Sequence, residues 1–393
     1  MRKCVLTLLG VLMSLTTWAI PAKPGKIVFT QPDGSKVEVF IRGDERFHYY
    51  ETTDGKILLP GKDGQLKFAV LNAAGKVVAG EVNASNPDKR TGMQKVASND
   101  SDSAALKVAL LKQAEAARVS AAPGEIRRNF PTTGTVRGLI VLVQYQDVKF
   151  SKNGTFDTFQ KLANEDGYEG DIAPGSMRDY FVAQSNGIFT PEFDVVGPVT
   201  LPHNREYYGG SSLGRERIAE MMADAATLAD EQFEVDFTKY DSNKDGYVDF
   251  FYVIFAGYGQ AQGGPEESVW PCAMDLSNDV SIPEYDGMFL GKTACSCELK
   301  GNTGETIDGI GTFCHEFSHI LGLPDIYDVN YTSCYGMGHY DIMDRGGYNN
   351  DGKTPAGYTA MDKYTVGWLK PEVLTVPTHC TLGDLQKTNK AYF

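Results

Sequence analysis

Cys314-His315-Glu316-Phe317-Ser318-His319-Ile320-Leu321-Gly322-Leu323-Pro324-Asp325 decides how the rest of this 393-residue chain is read. The stretch contains H-E-x-x-H. On a helix, positions i and i+4 share one face, so His315 and His319 can aim two imidazole nitrogens at one ion. Glu316 follows the first of them, where a carboxylate can polarise a metal-bound water without ligating the metal. Gly322 can end the helix with a left-handed turn, and Pro324 forbids its continuation. The turned chain can then bring Asp325 back as a third ligand. Three protein ligands and one open position is the pattern of a catalytic zinc site rather than a closed structural one. With six histidines in the chain, a bare H-E-x-x-H arises by chance in about one such chain in 200, and the added Gly and Asp make chance roughly a hundredfold rarer.

Outward from this helix the pattern alternates strands and helices. Leu139-Ile-Val-Leu-Val143 and Phe250-Phe-Tyr-Val-Ile-Phe-Ala256 are continuous apolar runs, expected of strands covered on both faces. Ser176 can cap a helix through Tyr180 and Phe181, and Arg215 to Leu228 has helical periodicity. A mixed, mainly parallel sheet backed by helices follows. Residues 20–93 differ: short alternating runs are punctuated by Asp33-Gly34, Asp54-Gly55, Asp63-Gly64 and Ala74-Gly75, which predicts hairpins. A polar stretch, 86–103, leads to an amphipathic helix over Ala104 to Arg118, then to Ala121-Ala-Pro-Gly124 and Arg127-Arg128, an exposed, cleavable linker.

Arg2 and Lys3, an apolar run from Val5 to Leu15 and Thr17-Trp18-Ala19 together predict a secretory signal peptide. The apolar run is short for a membrane span. The formal net charge is −14 and no Lys/Arg-rich run appears, which argues against nucleic acid and anionic membrane surfaces as partners. Of the seven cysteines, Cys4 would leave with the signal, and Cys272, Cys295, Cys297, Cys314, Cys334 and Cys380 would remain. In an exported chain this even count predicts disulfides of unknown connectivity. If Cys295-x-Cys297 is a strand, both thiols share a face.

Asp241-Ser-Asn243-Lys-Asp245-Gly246-Tyr247-Val-Asp249 places oxygen donors at positions 1, 3, 5, 7 and 9 of a possible calcium loop, with Gly at position 6. Position 12 is Tyr252, not Glu, so no complete EF-hand is present. The competing reading is an Asx-rich turn before a strand.

At these residues the chain resembles a family. His315-Glu-Phe-Ser-His-Ile-Leu-Gly-Leu-Pro-Asp-Ile-Tyr-Asp328 is similar to the extended zinc motif of the metzincins, in the variant with Asp as third ligand. More closely it resembles the secreted bacterial metalloproteases of the immune inhibitor A type. Gly175-Ser-Met-Arg-Asp-Tyr-Phe181, Asn186-Gly-Ile-Phe-Thr190, Asp245 to Gly259 and Gly357 to Leu369 share the likeness, which runs from about Val136 to about Leu369. The resemblance implies an α+β fold: a zincin catalytic domain of twisted mixed sheet, backing helix and active-site helix, preceded by a small β-rich propeptide. It divides the chain into a signal peptide (1–19), a propeptide (20–127), a catalytic domain (128–378) and the start of a further module or a truncated tail (379–393). It implies a secreted, cell-surface or periplasmic zinc endopeptidase acting on proteins or peptides, with Glu316 as general base. It makes Met343 the methionine of a turn beneath the metal, and Asp44, in Arg42-Gly43-Asp44, an aspartate switch of the zymogen. It allows Thr293 to Leu299 as the edge strand against which substrate pairs; an ordinary interior strand is the alternative. His339 is a rival third ligand with the wrong offset. Some relatives carry a Tyr two residues after the turn methionine; here that residue is Arg345, which leaves Tyr348 and Tyr358 as candidates to aid the oxyanion. The loop Gly346 to Gly352 would wall the cleft. The opposing reading of the whole is an inactive zinc- or calcium-containing binding or adhesin module on the same fold.

Overall fold

The structure, a computed structural model, describes residues 17–119, 130–210, 214–277, 279, 281–329 and 336–392. Most of the leader, the linker at 121–128, Cys4 and Cys334 therefore lie outside the described residues. A short strand, β1 (Thr17–Trp18), comes first. Six strands follow: β2 (Lys26–Thr30), β3 (Lys36–Gly43), β4 (His48–Thr52), β5 (Ile57–Pro60), β6 (Leu66–Leu71) and β7 (Val77–Asn83). They form one antiparallel meander in sequence order, with tight turns at the four expected X-Gly pairs. Gly34 shows why glycine is used: its φ of 82° is a conformation that side chains resist. Helices α1 (Gly92–Asp100) and α2 (Ser103–Val119) close the unit. Leu106 and Leu110 of α2 pack on Ile57, Ala69 and Val77.

The second unit holds β8 (Arg137–Gln144), α3 (Phe156–Asn164), α4 (Met177–Gln184), β9 (Glu192–Thr200), α5 (Arg205–Gly209) and α6 (Gly214–Phe233). It continues with β10 (Tyr247–Val248), β11 (Phe251–Tyr258), β12 (Cys272–Asp275), β13 (Phe289–Leu290), β14 (Lys292–Leu299), α7 (Gly311–Ile320), α8 (Ala360–Thr365) and α9 (Leu385–Thr388). The main sheet has the order β1-β12-β14-β11-β8-β9. β14, β11, β8 and β9 run parallel to one another, while β12 lies antiparallel on the outer side of β14. The mixed, mainly parallel sheet is as expected.

Side chains of β8 alternate between two cores. Leu139, Val141 and Val143 join Met221, Met222, Ala225 and Ala229 of α6, and the N-terminal sheet adds Val37, Val39 and Ile41 to the same cluster. Ile140 and Leu142 face the other way, with Phe250, Tyr252 and the active-site helix residues Phe313, Phe317 and Ile320. A strand covered on both faces must be apolar at every position, which is why β8 and β11 read as unbroken runs.

One alternative is decided and one expectation is corrected. β14 is interior, between β11 and β12, so Thr293 to Leu299 is not the free edge. Outside it lies β12, a four-residue strand whose pairing with β14 no local pattern announces, and β1 covers the outer side of β12. The expected disulfides are absent among the described residues: Cys272, Cys295, Cys297, Cys314 and Cys380 are free thiols. Cys295 and Cys297 share a face, as expected, but Cys314 lies in the opposite core and Cys380 is exposed, so most pairings are out of reach. Cys272 stands directly opposite Cys295 across β12 and β14.

The chain after Leu369 folds back on the second unit. Asn389 Nδ2 donates to Trp368 O at 3.0 Å and Lys363 Nζ to Gln386 Oε1 at 3.2 Å.

Candidate active site

α7 is buried over its whole length. Its apolar faces are held by Phe313 and Phe317 against Phe250, at ring separations of 6.3 and 4.5 Å, so the face carrying the two histidines is fixed from behind. Gly322, with φ of 97°, turns the chain out of the helix, and Leu323 N returns to Ser318 O. That turn has a second effect. It presents Leu323 O to His319 Nδ1 at 2.8 Å, and Ile342 O meets His315 Nδ1 at 2.6 Å. A carbonyl only accepts, so each Nδ1 carries the proton and each Nε2 exposes a lone pair.

The two Nε2 atoms are 3.2 Å apart, and Asp325 Oδ1 is 3.3 Å from each. Asp325 Oδ1 has no hydrogen-bond donor, and neither does Glu316 Oε2 beside it. Three lone pairs thus converge in a buried place with no proton between them, which is repulsive unless a cation intervenes. The triangle fits one: with metal–ligand bonds of about 2.0–2.1 Å, a tetrahedral ion separates its ligands by roughly 3.3–3.4 Å. Two imidazoles and a carboxylate are a zinc donor set. Burial lowers His319, favouring the neutral imidazole a metal requires. Burial acts to raise Asp325, but the two histidines outweigh it and hold its carboxyl down at about 2. Burial and then the charge of Asp325 push Glu316 well above the usual carboxylate range, against the opposing effect of the Ile20 N–H.

Met343 is fully buried in a turn below α7, whose Ile342 carbonyl orients His315. Ile326 N donates to Met343 O at 3.0 Å, which ties the Asp325 segment to that turn. His339 is exposed and pairs with Asn349, away from the triangle. Arg345 lies 3.8 Å from Asp344. Tyr358 hydrogen bonds Ser318 at 2.6 Å, fully inside the core. The 346–352 loop does flank the cleft: a Cβ on Gly311, in the first turn of α7, would lie 1.8 Å from Gly347 O.

Four of the five candidate calcium donors accept hydrogen bonds within their own loop. Asp241 accepts from Asp245 N at 3.0 Å and from Gly246 N at 2.9 Å; Asn243 Oδ1 accepts from Asp245 N at 3.0 Å. Asp245 Oδ1 accepts from Tyr247 N at 3.1 Å, and Asp249 Oδ2 from Ser242 N at 2.7 Å and from its hydroxyl. The bonds of Asn243 and Asp245 are Asx turns, and those of Asp241 and Asp249 tie the loop together over four to seven residues. Among the described residues, His, Cys, Asp and Glu side chains converge at His315, Glu316 and His319, with Asp325 Oδ1 3.3 Å from both imidazoles.

The cleft holds part of the chain itself. β1 pairs antiparallel with the outer side of β12, Thr17 opposite Met274 and Trp18 opposite Ala273. The next residues cross the site. Ile20 N donates to Glu316 Oε1 at 2.7 Å, Tyr327 hydroxyl to Ala19 O at 3.0 Å, Trp270 Nε1 to Ile20 O at 3.0 Å and Tyr348 hydroxyl to Pro21 O at 2.7 Å. Ala19 and Ile20 are fully buried. Asp44 stands in the adjacent turn of the N-terminal unit, reached through Ala22 N to Gly43 O. It is buried, and its Oδ1 accepts from Arg46 N and Phe47 N. Its neighbour Glu45 is pushed well up by burial and then by the Asp44 charge, with Asp325 contributing.

Tyr327 and Trp270 were missed by sequence reasoning. Tyr327 stands two residues after Asp325, and that offset was a usable signal. Trp270 carries none.

The family model for the immune inhibitor A peptidase M6 catalytic domain matches residues 141–373. The chain belongs to that family. It is 26% identical over 253 residues to the pre-pro-metalloprotease PrtV of Vibrio cholerae, covering 55% of this chain and 27% of that one. It is 25% identical over 334 residues to immune inhibitor A of Bacillus thuringiensis subsp. alesti, covering 70% of this chain and 44% of that one. The chain spans less than half the length of these relatives. Its M6 region contains the whole of α7, Asp325, Tyr327 and Met343, and a metallopeptidase family implies a bound metal. No helix among the described residues is long and apolar enough to cross a membrane.

Proposed function

We propose that this chain is an exported zinc endopeptidase made as a pre-pro-protein, with His315, His319 and Asp325 as the zinc ligands and Glu316 as the general base. The observation that carries the reading is the triangle of three unprotonated donors with an orphaned Glu316 oxygen at its side. Zinc held there would lower the pKa of a bound water towards ~7 and draw on the oxygen of a substrate carbonyl. Glu316 takes the proton of the attacking water and passes it to the leaving nitrogen. Its burial suits both halves of that task, because a raised pKa makes it a competent acid after it has acted as base. β12 offers backbone groups to an extended peptide, a mode that reads main chain before side chain.

Residues 20–127 we read as a propeptide. The chain over Ile20 to Ala22 fills the cleft, and the Asp44 turn sits beside it. The competing reading, a metal-containing binding module without turnover, has no use for a buried carboxylate aimed at the reacting position. Glu316→Ala tests the choice. It should retain one zinc per chain and lose nearly all casein hydrolysis, measured by metal analysis and zymography with and without a zinc chelator. Near wild-type cleavage by the variant would refute the mechanism.

A further inference from the structure

The peptide group between Ala19 and Ile20 is gripped at both ends. Its N–H donates to Glu316 Oε1 at 2.7 Å and its carbonyl oxygen accepts from Tyr327 hydroxyl at 3.0 Å. A trans peptide points its C=O and N–H in opposite directions, so Glu316 and Tyr327 bracket one peptide group from opposite edges. The strand leading into it is antiparallel to β12 and in register with it, as an extended substrate would be. Among the described residues, no other tyrosine near the site has this relation. Tyr348 holds Pro21 O, two peptide groups further on, and Tyr358 is engaged with Ser318.

From this geometry we infer that Tyr327 is a catalytic residue, whose phenol donates to the carbonyl oxygen of the scissile bond and stabilises the negative charge that develops there. The inference rests on the protease reading above. When water adds to the carbonyl carbon, the C=O π pair moves onto oxygen. The Tyr327 O–H, already aimed at that oxygen, strengthens as the charge grows; it transfers no proton. The proton of the water goes to Glu316 and from there to the nitrogen as the C–N bond breaks. A donor that strengthens between ground and transition state raises turnover rather than substrate binding. Its placement is built in. Tyr327 is buried, Ile326 is pinned to Met343 O, and Val329 N closes a turn on Tyr327 O at 2.7 Å. Asp325 and Tyr327 thus come from one short segment, so ligand and donor are positioned together.

The test uses the full chain carrying Ile20→Asp in every arm. Ile20 is fully buried and its Cδ1 would lie 3.1 Å from a Cβ on Gly347, so a carboxylate there, beside Glu316, is expelled and opens the cleft. In this background Tyr327→Phe should cut kcat about 100- to 1,000-fold, the cost of removing one oxyanion donor. KM should stay within about threefold, and zinc content and melting temperature should be unchanged. Affinity for a phosphinic peptide, whose tetrahedral anion mimics the charged oxygen, should fall by a comparable factor, read by calorimetry without turnover. A kcat within threefold of the background overturns the role. So does a loss of rate accompanied by loss of zinc, which makes Tyr327 structural. An Ile20→Asp chain that neither cleaves peptide nor binds the analogue overturns the protease reading instead.

Discussion

At the scale of single residues, lone pairs govern the site. Two carbonyls fix the tautomers of His315 and His319, and what remains is three acceptors facing one another. This much was legible in the sequence, because helix pitch and one glycine-proline bend set the spacing of His315, His319 and Asp325. A second pair of carboxyls was not legible. Asp341 and Asp362 lie 21 positions apart and both are buried. Burial, then the neighbouring Asp362, pushes Asp341 up to about 8. A folded pKa above the unfolded one means the native state binds the extra proton. Its contribution is therefore full below about pH 4 and is lost as pH rises through about 8. Asp362→Asn keeps an oxygen for Thr359 N, which Asp362 Oδ2 now accepts at 3.0 Å, and removes the like charge. Between pH 5 and 8.5 the guanidinium midpoint of the wild type should fall, and that of the variant should fall by less than half as much. Equal falls would mean the pair does not set the slope.

At the scale of elements, α7, β8 and β11 announce themselves through period and apolarity, while β12 does not. Edge or interior is a property of strand order, fixed by packing between segments far apart in sequence, so a strand of four residues carries no mark of it. That is why β14 was a candidate for the substrate edge and β12 was overlooked. The 241–249 loop shows how one spacing serves two readings. Its spacing fits a cation, but the same carboxylates satisfy backbone donors within the loop. Those bonds hold the loop without an ion, although each carboxylate keeps further lone pairs. We expect chelated protein to regain its melting temperature with zinc, and added calcium to move it by less than about 2 °C, because a ligand stabilises only through preferential binding to the native state. A calcium-dependent rise of several degrees, monitored by calorimetry, would restore the loop as a metal site.

At the scale of the whole molecule, the N-terminal unit and the M6 unit share one core. Val37, Val39 and Ile41 are buried with the residues of α6. Composition and hairpin turns predicted two units, and neither could show that one passes a strand through the other's cleft, since Ile20 and Glu316 are 296 positions apart. Within the propeptide reading, Asp44→Ala loosens the turn that adjoins this strand. Two backbone N–H bonds to its Oδ1 are lost, about 1–2 kcal/mol, which raises the open population roughly 5- to 30-fold. Conversion of the full chain to its processed form, followed on gels, should accelerate in that range. Unchanged maturation would remove Asp44 from the latency mechanism.

If residues 1–19 are a signal peptide, as the sequence predicts, the placement of Ala19 also dictates an order of events during export. The bond a leader peptidase would cut, after Thr17-Trp18-Ala19, has no solvent exposure once the chain is folded. Cutting must therefore precede closure of the cleft, while the polypeptide is still extended at the membrane. A chain cut in time begins with a new ammonium at Ile20, where an amide N–H now meets Glu316. A chain cut too late would keep Thr17 and Trp18 paired with β12.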